Sequence, residues 1–405
     1  MFDAELLPFL VFFAIVGLLV LADRKRIEVH GPLLIRKTNR GKRFIVNTGQ
    51  RFQRFWSIIG NIAVVAGFIA SFYTLYMLLT LLADSIVRVT PAAGVGLVLP
   101  SPTTVVGGGF IGVPLWYWII AAIIMFVVHE GAHGIIGASQ KMKIKKLGWI
   151  LFTLLPIGAF VEPDENDVTR KKPLKQLRFF AAGSFSNFIL ALLVAVVITP
   201  LVLNPLTVPA EGFQVFPQEG FPFAASGPLV ERTNNFSQSL NPKFFIRSIN
   251  GRETPDFEQA TAILDEMGIE PGQAVELDLD VYYGNSMENL DITIEAAQNP
   301  NNESKGYIGI LFDGRQSFVV RQDLLPYRGI IFFVTEALFW VFLINLGVGM
   351  FNMLPMGPLD GKRMWAVVLQ KYLPNRHRTV MRVIEWFVLF VLLAILVPAI
   401  VSNFL

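Results

Sequence analysis

Six apolar segments restrict this chain to a membrane-embedded fold. The sequence is 53% hydrophobic and only 16% charged, which is unlike a soluble globular domain. A stretch of about 20 apolar residues is long enough to cross a bilayer as a helix. One segment, 329–353, is interrupted by Glu336, Asn345 and Asn352 but is still long enough. The other five are 5–22, 56–83, 115–138, 179–203 and 380–403. We therefore expect a polytopic α-helical membrane protein with about six transmembrane helices.

The basic residues between these segments predict how the chain is oriented. Residues 23–55 contain ten Lys and Arg, 141–178 contain nine and 356–380 contain five, whereas 84–114 contain only Arg88. Loops rich in Lys and Arg stay on the cytoplasmic side. Both termini are then extracytoplasmic, and the first segment is a retained anchor. The positive charge fits orientation in a lipid bilayer better than nucleic-acid binding, so no nucleic-acid partner is expected.

The third apolar segment contains the sequence His129-Glu130-Gly131-Ala132-His133. Ionisable side chains inside a bilayer cost about 2.5–3.5 kcal/mol each and are functional candidates. His-Glu-x-x-His on a helix places two imidazoles on one face to bind zinc, with the glutamate beside them as general base. Hydrogen-bonded structural histidines are the alternative, but they leave three ionisable groups in hydrocarbon unexplained. His129 lies about 20 Å inward from the aromatic residues 116–118, nearer the cytoplasmic face.

Two histidines do not complete a catalytic zinc site, which needs three protein ligands and an open position for water. The chain has no cysteine, so the third ligand must be a histidine or a carboxylate. His30 and His377 lie in basic loops and are expected at the surface. Asp360 is the better candidate, because it follows a span in Asn-Met-Leu-Pro-Met-Gly-Pro-Leu-Asp-Gly and the prolines and glycines allow the chain to turn back. The alternative for Asp360 is a simple Asp-Gly turn at the membrane edge.

These residue types predict metal-assisted hydrolysis. Zinc lowers the pKa of a bound water toward about 7. Glu130 then accepts a proton as the water attacks a carbonyl, and passes it to the leaving amine. Asn187 lies in the fourth span and is a candidate donor to the developing oxyanion; the alternative is an interhelical hydrogen bond. Asn345 and Asn352 are expected either to line the site or to pack between helices.

Two further regions differ from the spans. Residues 147–162 are apolar but too short to cross, and they predict a re-entrant loop or small sheet beside the active site. Residues 205–325 contain eighteen Asp and Glu against seven Lys and Arg. Alternating patterns predict strands at Lys243–Ile249 and Val275–Val281, and Phe257–Met267 has helical spacing. A small β-rich extracytoplasmic domain is expected there.

Four motifs in this order resemble the site-2 protease family of intramembrane zinc metalloproteases, peptidase family M50. They are HEGAHG, GAFVEP, AAGSFSNF and NMLPMGPLDG. The resemblance implies one zinc ion bound by His129, His133 and Asp360, with Glu130 catalytic and Asn187 facing the site. Many relatives have Asn-Pro where this chain has Asn345-Leu346.

The 205–325 insert is similar to the circularly permuted PDZ domains of proteases. The likeness rests on Phe245–Gly251, the helix after it, Pro271–Leu277 and Gly306–Ile310. It implies a peptide ligand bound by strand addition. A domain at this position also predicts a size filter that admits only substrates with trimmed ectodomains.

We therefore expect an endopeptidase that cuts transmembrane segments of membrane-anchored proteins in the lipid bilayer. Two alternatives are a cation transporter that uses the intramembrane charges and an inactive peptide-binding scaffold. The absence of an inverted repeat argues against the first, and the intact Glu130 against the second. The expected domains are two N-terminal helices (1–83), a first catalytic part (84–204), the PDZ-like insert (205–325), and a second catalytic part with the last helix (326–405).

Overall fold

The structure is a computed structural model in which the chain forms two compact units. The first unit comprises Met1–Ile198 and Glu336–Leu405, and the second is Thr199–Thr335. The residues that the structure describes are 7–88, 96–101, 104–107, 109–209, 213–217, 222–225, 243–283, 286–300, 302–312 and 318–401.

Helices make up most of the first unit, and the second unit also contains helices. In chain order the helices of the described residues are α1 (Leu7–Asp23), α2 (Lys42–Arg51), α3 (Gln53–Arg88), α4 (Leu115–Ser139), α5 (Glu165–Arg170), α6 (Pro173–Leu193), α7 (Thr199–Leu203), α8 (Pro222–Ala225), α9 (Phe257–Met267), α10 (Arg328–Asn352), α11 (Asp360–Tyr372) and α12 (His377–Val401). A π-helical turn, Val194–Ile198, joins α6 to α7, and a 3-10 helix, Gln322–Tyr327, precedes α10.

Five helical segments among the described residues are long and apolar enough to cross a membrane. They are Gln53–Ile86, Leu115–Ser139, Pro173–Leu203, Gln322–Asn352 and His377–Pro398. These correspond to five of the six segments expected from hydropathy, so the chain is a membrane protein. The remaining segment, 5–22, forms α1 over 17 residues from Leu7, and residues 5 and 6 lie outside the described part. A sixth span stays a prediction.

Tight packing holds the spans of the first unit together. Ala63 of α3, Phe179 and Ala181 of α6, and Met364 of α11 share one buried cluster. Nearer the other end of the spans, a second cluster joins α4, α6 and α10 through residues that include Met125, Leu190, Trp340 and Ile344. Contacts of Phe179 and Asn187 with the two histidines show that α6 lies against the face of α4 that carries them.

The strands form several small sheets. In chain order they are β1 (Ile27–His30), β2 (Leu33–Thr38), β3 (Leu97–Ser101), β4 (Val105–Gly107), β5 (Phe110–Pro114), β6 (Ile144–Phe152), β7 (Leu155–Pro163), β8 (Thr207–Pro209), β9 (Phe213–Pro217), β10 (Lys243–Ile249), β11 (Arg252–Glu253), β12 (Ala274–Tyr283), β13 (Ser286–Glu295), β14 (Ala297–Asn299), β15 (Asn302–Tyr307), β16 (Ile310–Phe312) and β17 (Phe318–Val320).

The apolar stretch 147–162 forms a hairpin, so of the two predicted structures the small sheet is the one observed. Strands β6 and β7 are antiparallel and extend the β1–β2 hairpin into a four-stranded sheet of order β1-β2-β6-β7. Among the described strands, β7 pairs only with β6 and is therefore an edge strand.

The second unit has its own apolar core, built around a sheet of order β13-β12-β10-β9-β16. The predicted strand Lys243–Ile249 and helix Phe257–Met267 are both observed, and Val275–Val281 lies within β12. Asn250 and Gly251 have φ of 48° and 74° and form the turn between β10 and β11. The unit is β-rich as expected; its likeness to a PDZ domain stays a prediction.

Candidate metal centre

Helix α4 brings His129 and His133 to one face, because residues four apart in an α-helix lie one turn above each other. Both imidazoles are buried. The Nδ1 atom of His133 lies 2.8 Å from the carbonyl oxygen of Phe179 on α6. A carbonyl only accepts hydrogen bonds, so Nδ1 carries the proton. With the proton on Nδ1, Nε2 is the nitrogen left to bind a metal, and it faces Asp360 in the site.

A folded-back segment after α10 supplies the carboxylate. Gly357 has φ of 53°, a left-handed conformation that suits glycine. A Cβ atom on Gly361 would lie 2.6 Å from the carbonyl oxygen of Leu354, so the segment closes on itself only because residue 361 is glycine. Asp360 is the first residue of α11 and is buried. The chain thus returns to the depth of the two histidines and does not end in an exposed turn.

The three side chains converge on one point. Asp360 Oδ2 lies 3.0 Å from His133 Nε2 and 3.3 Å from His129 Nε2, and the two Nε2 atoms are 3.2 Å apart. Tetrahedral zinc with ligands at about 2.0–2.2 Å separates those ligands by about 3.4 Å. Electronegative atoms this close need a proton or a metal cation among them, as in the ion pair of a protonated His133 with Asp360. The arrangement therefore fits a divalent metal, and the two nitrogens and one oxygen suit zinc.

Glycine on α6 leaves the space that this metal centre needs. A Cβ atom on Gly183 would lie 2.5 Å from His129 Nε2 and would also overlap His133 Nε2. No side chain larger than hydrogen fits there without displacing an imidazole. Sequence reasoning assigned Gly183 no role, although the motif Ala-Gly-Ser-Phe-Ser-Asn carries a glycine four residues before Asn187, on the same helical face.

Asn187 lies against the outer nitrogen of His129. Its Nδ2 is 3.1 Å from His129 Nδ1, while its Oδ1 has no hydrogen-bond partner among the described residues. The two amide orientations fill the same space. Rotating the Asn187 amide group by half a revolution places Oδ1 against a protonated Nδ1 of His129. Nε2 of His129 is then left to bind a metal. In that orientation Nδ2 is free to donate elsewhere in the site.

Glu130 is held beside the centre by the hairpin. Its Oε2 accepts a hydrogen bond of 2.9 Å from the backbone N–H of Val161 in β7. This bond shows that the open edge of β7 faces α4. A cavity of about 860 Å³ adjoins these groups, and its walls include Glu130, Phe160, Asn352 and the three metal-ligand candidates. The cavity has room for a peptide segment beside the carboxylate.

Four other polar candidates lie in different surroundings. Asn352 lines the cavity, whereas Asn345 is fully buried and donates its amide to the Val341 carbonyl within α10. His30 is exposed, and His377 is half-buried and bonded to the Pro374 carbonyl. Among the described residues, only His129, His133 and Asp360 form a group that could hold a metal.

Comparison with known proteins agrees with this geometry. A family profile described as Peptidase family M50 matches residues 117–396, which include all three candidate ligands and Glu130. The chain is also 24% identical over 370 residues to the uncharacterized protein MJ0971 of Methanocaldococcus jannaschii. That alignment covers 91% of this chain and 87% of the archaeal protein.

Proposed function

Because the chain belongs to peptidase family M50, the site-2 protease family, we propose that it is an intramembrane zinc metalloendopeptidase. Membership of the family identifies a membrane metalloprotease. The proposal adds that it hydrolyses peptide bonds within transmembrane segments of membrane-anchored proteins. One observation carries it: His129, His133 and Asp360 converge beside Glu130 on a helix that is long and apolar enough to span the membrane.

The chain's own residues provide the acid–base chemistry. Zinc, when bound, lowers the pKa of a water molecule and polarises the scissile carbonyl. Glu130 accepts the proton from the attacking water at its carboxylate and transfers it to the leaving amine nitrogen. The bond from Val161 N–H keeps that carboxylate turned toward the cavity. Asn187 orients His129 and, through the amide hydrogens left over, is a candidate donor to the oxyanion.

A transmembrane substrate must unwind before its peptide bond can be cut. Its freed backbone N–H and C=O groups need partners, because none are available in hydrocarbon. The edge of β7 that pairs with no other described strand runs along the cavity wall and carries backbone groups of this kind, besides the Val161 N–H that bonds Glu130. We propose that the substrate binds there in an extended conformation, so that the strand supplies the hydrogen bonds that the helix gave up.

We also propose which side of the membrane each part of the chain occupies. With the basic loops in the cytoplasm, both termini and residues 205–325 are extracytoplasmic, and the metal centre lies nearer the cytoplasmic face. A peptide bound to the β-rich second unit would regulate access from outside.

The variant Glu130→Gln tests the chemistry. We expect it to lose cleavage of a reconstituted single-span substrate by at least about 100-fold, because the proton acceptor is gone. Zinc content and thermal unfolding should stay unchanged. Glu336→Gln is the matched control: it makes the same change at an exposed site on α10 away from the cavity, and should cleave normally.

Cleavage and zinc-flux measurements distinguish the proposed protease from a transporter or a scaffold. Full activity in Glu130→Gln would rule out the proposed role. A transporter would move zinc across proteoliposome membranes with a flux that depends on Asp360, whereas a protease should hold one ion without flux. A scaffold would show no cleavage in the wild-type protein.

A further inference from the structure

Glu162 is a carboxylate of the metal-centre cavity that the proposed chemistry does not use. It belongs to β7, lines the cavity and is half-buried. Among the described residues, none donates a hydrogen bond to its side chain or forms an ion pair with it. A half-buried charge without a partner costs free energy, and a ligand that brings a cation into the cavity would recover that cost.

The two Lys and Arg side chains that line the same cavity are engaged elsewhere. Lys145 Nζ lies 3.5 Å from Asp164 Oδ2 and forms an ion pair with it. The guanidinium carbon of Arg363 lies 5.7 Å from the ring centre of Phe180. Glu162 therefore leaves an unbalanced negative charge on the β7 wall of the cavity, which favours a cationic group on the molecule that binds there.

The position of Glu162 along β7 relates it to the reaction centre. It follows Val161, whose backbone N–H bonds to the carboxylate of Glu130. Successive residues of a strand are only about 3.3 Å apart, so Glu162 lies within a residue or two of the level at which a peptide bond would be cut. Across paired strands, directly opposite side chains share one face, and diagonal neighbours are within reach of long side chains. A substrate strand paired with β7 would therefore bring a side chain close to the scissile bond against Glu162.

We propose that Glu162 determines substrate specificity by pairing with a Lys or Arg that the substrate carries within about two residues of the scissile bond. Transmembrane proteins carry such residues where their spans end at the cytoplasmic face, which is the face proposed above for the metal centre. The favoured substrates are then single spans with a basic cytoplasmic flank. The assignment rests on the proposed function, because it requires a peptide bond to be cut at the metal centre.

The first test measures kcat/KM of purified full-length protein on one single-span substrate whose cleavage site has been mapped by mass spectrometry. A single Lys is placed in turn at each of the three positions on either side of the bond, and each is compared with Gln at the same position. At the best position, Lys should raise kcat/KM by about fivefold, the upper end for an opposite-charge pair across strands. Glu162→Gln should abolish this preference and keep zinc content, and Glu162→Lys should favour Glu at that position instead.

Glu28→Gln is the matched control, because Glu28 lies on β1, the opposite edge strand of the same sheet, and does not line the cavity. It should keep the full preference for Lys. Equal cleavage of the Lys and Gln substrates by the wild type would overturn the assignment of Glu162, and so would an unchanged preference in Glu162→Gln. Failure of the wild type to cleave any single-span substrate would overturn the proposed function as well.

A second measurement does not depend on catalysis. The chain contains no cysteine, so an engineered pair of thiols reports one contact. In the Glu130→Gln background, Glu162→Cys should form a disulfide with a substrate that carries Cys at the position where Lys was favoured, and Glu28→Cys should not. Equal cross-linking at all six substrate positions would show that Glu162 does not face a defined substrate residue, which would overturn the proposal.

Discussion

At the scale of single residues, Gly183 decides whether the metal centre can form. It is the point where α6 passes closest to the two imidazoles, and any Cβ atom there enters the space between them. Asn187, one turn further along α6, bonds to His129, and the Phe179 carbonyl, one turn earlier, bonds to His133. One face of α6 therefore both orients the histidines and leaves room for the ion.

We expect Gly183→Ala to weaken zinc binding by about 10–100-fold, the range seen when partners of metal ligands are disturbed. The measurement is a zinc competition titration with a chromogenic chelator. Gly131→Ala is the matched control, because a Cβ atom on Gly131, beside Glu130 on α4, would meet nothing within 4 Å. Equal zinc affinity in the two variants would contradict this account of α6.

At the scale of elements, the segment between α10 and α11 is held by the last helix. Glu385 of α12 accepts hydrogen bonds from the backbone N–H of Gly357, at 2.9 Å, and from Lys362 Nζ, at 2.8 Å. These two contacts lie on either side of Asp360 in the sequence. The last span thus fixes the turn that presents the carboxylate, a role its sequence did not suggest.

Glu385→Gln should lower zinc affinity by about tenfold through looser positioning of Asp360, with a smaller effect on overall stability. If Glu385 and Lys362 position Asp360 together, a double-mutant cycle should show coupling between them. Lys362→Met should cause part of the same loss of zinc affinity, and the double variant should lose less affinity than the sum of the two single variants. The readouts are zinc affinity and thermal unfolding of each variant. Additive losses would show that Glu385 and Lys362 do not act as a pair.

At the scale of the whole molecule, the candidate metal centre and the β-rich insert belong to different units. All three candidate ligands and Glu130 lie in the first unit, and the insert belongs to the second. The two ends of the insert meet, because β8 and β17 are antiparallel neighbours in which Thr207 pairs with Val320. An insert joined in this way is removable without separating the flanking spans.

Replacing residues 208–319 with a short flexible linker between Thr207 and Val320 should leave zinc binding intact. If the insert is a size filter, the shortened protein should cleave a substrate that keeps its full ectodomain, which the complete protein should reject. The measurement compares cleavage of trimmed and untrimmed forms of one single-span substrate. Unchanged selectivity would rule out the filter, and loss of zinc would show that the insert supports the first unit.

The sequence by itself determined the spans and several elements of the insert, and it singled out the candidate site residues. Hydropathy identified the five spans, two-residue alternation identified β10, and helical spacing identified α9, because each depends on residues close together in the chain. The spacing of His129 and His133 likewise determined that they share a helical face. Asp360 was singled out by its turn residues, and its expected role followed from the family resemblance.

Only the tertiary structure decided which groups meet. Asp360 is 227 residues from His133 in sequence, yet their side chains lie 3.0 Å apart. The closeness of Gly183 to the imidazoles, the bond from Val161 to Glu130, the bond from Gly357 to Glu385 and the contact of Lys243 with Phe332 also join distant parts of the chain. Such contacts depend on how helices and strands pack against one another, and packing at that precision follows from the shapes of many side chains at once.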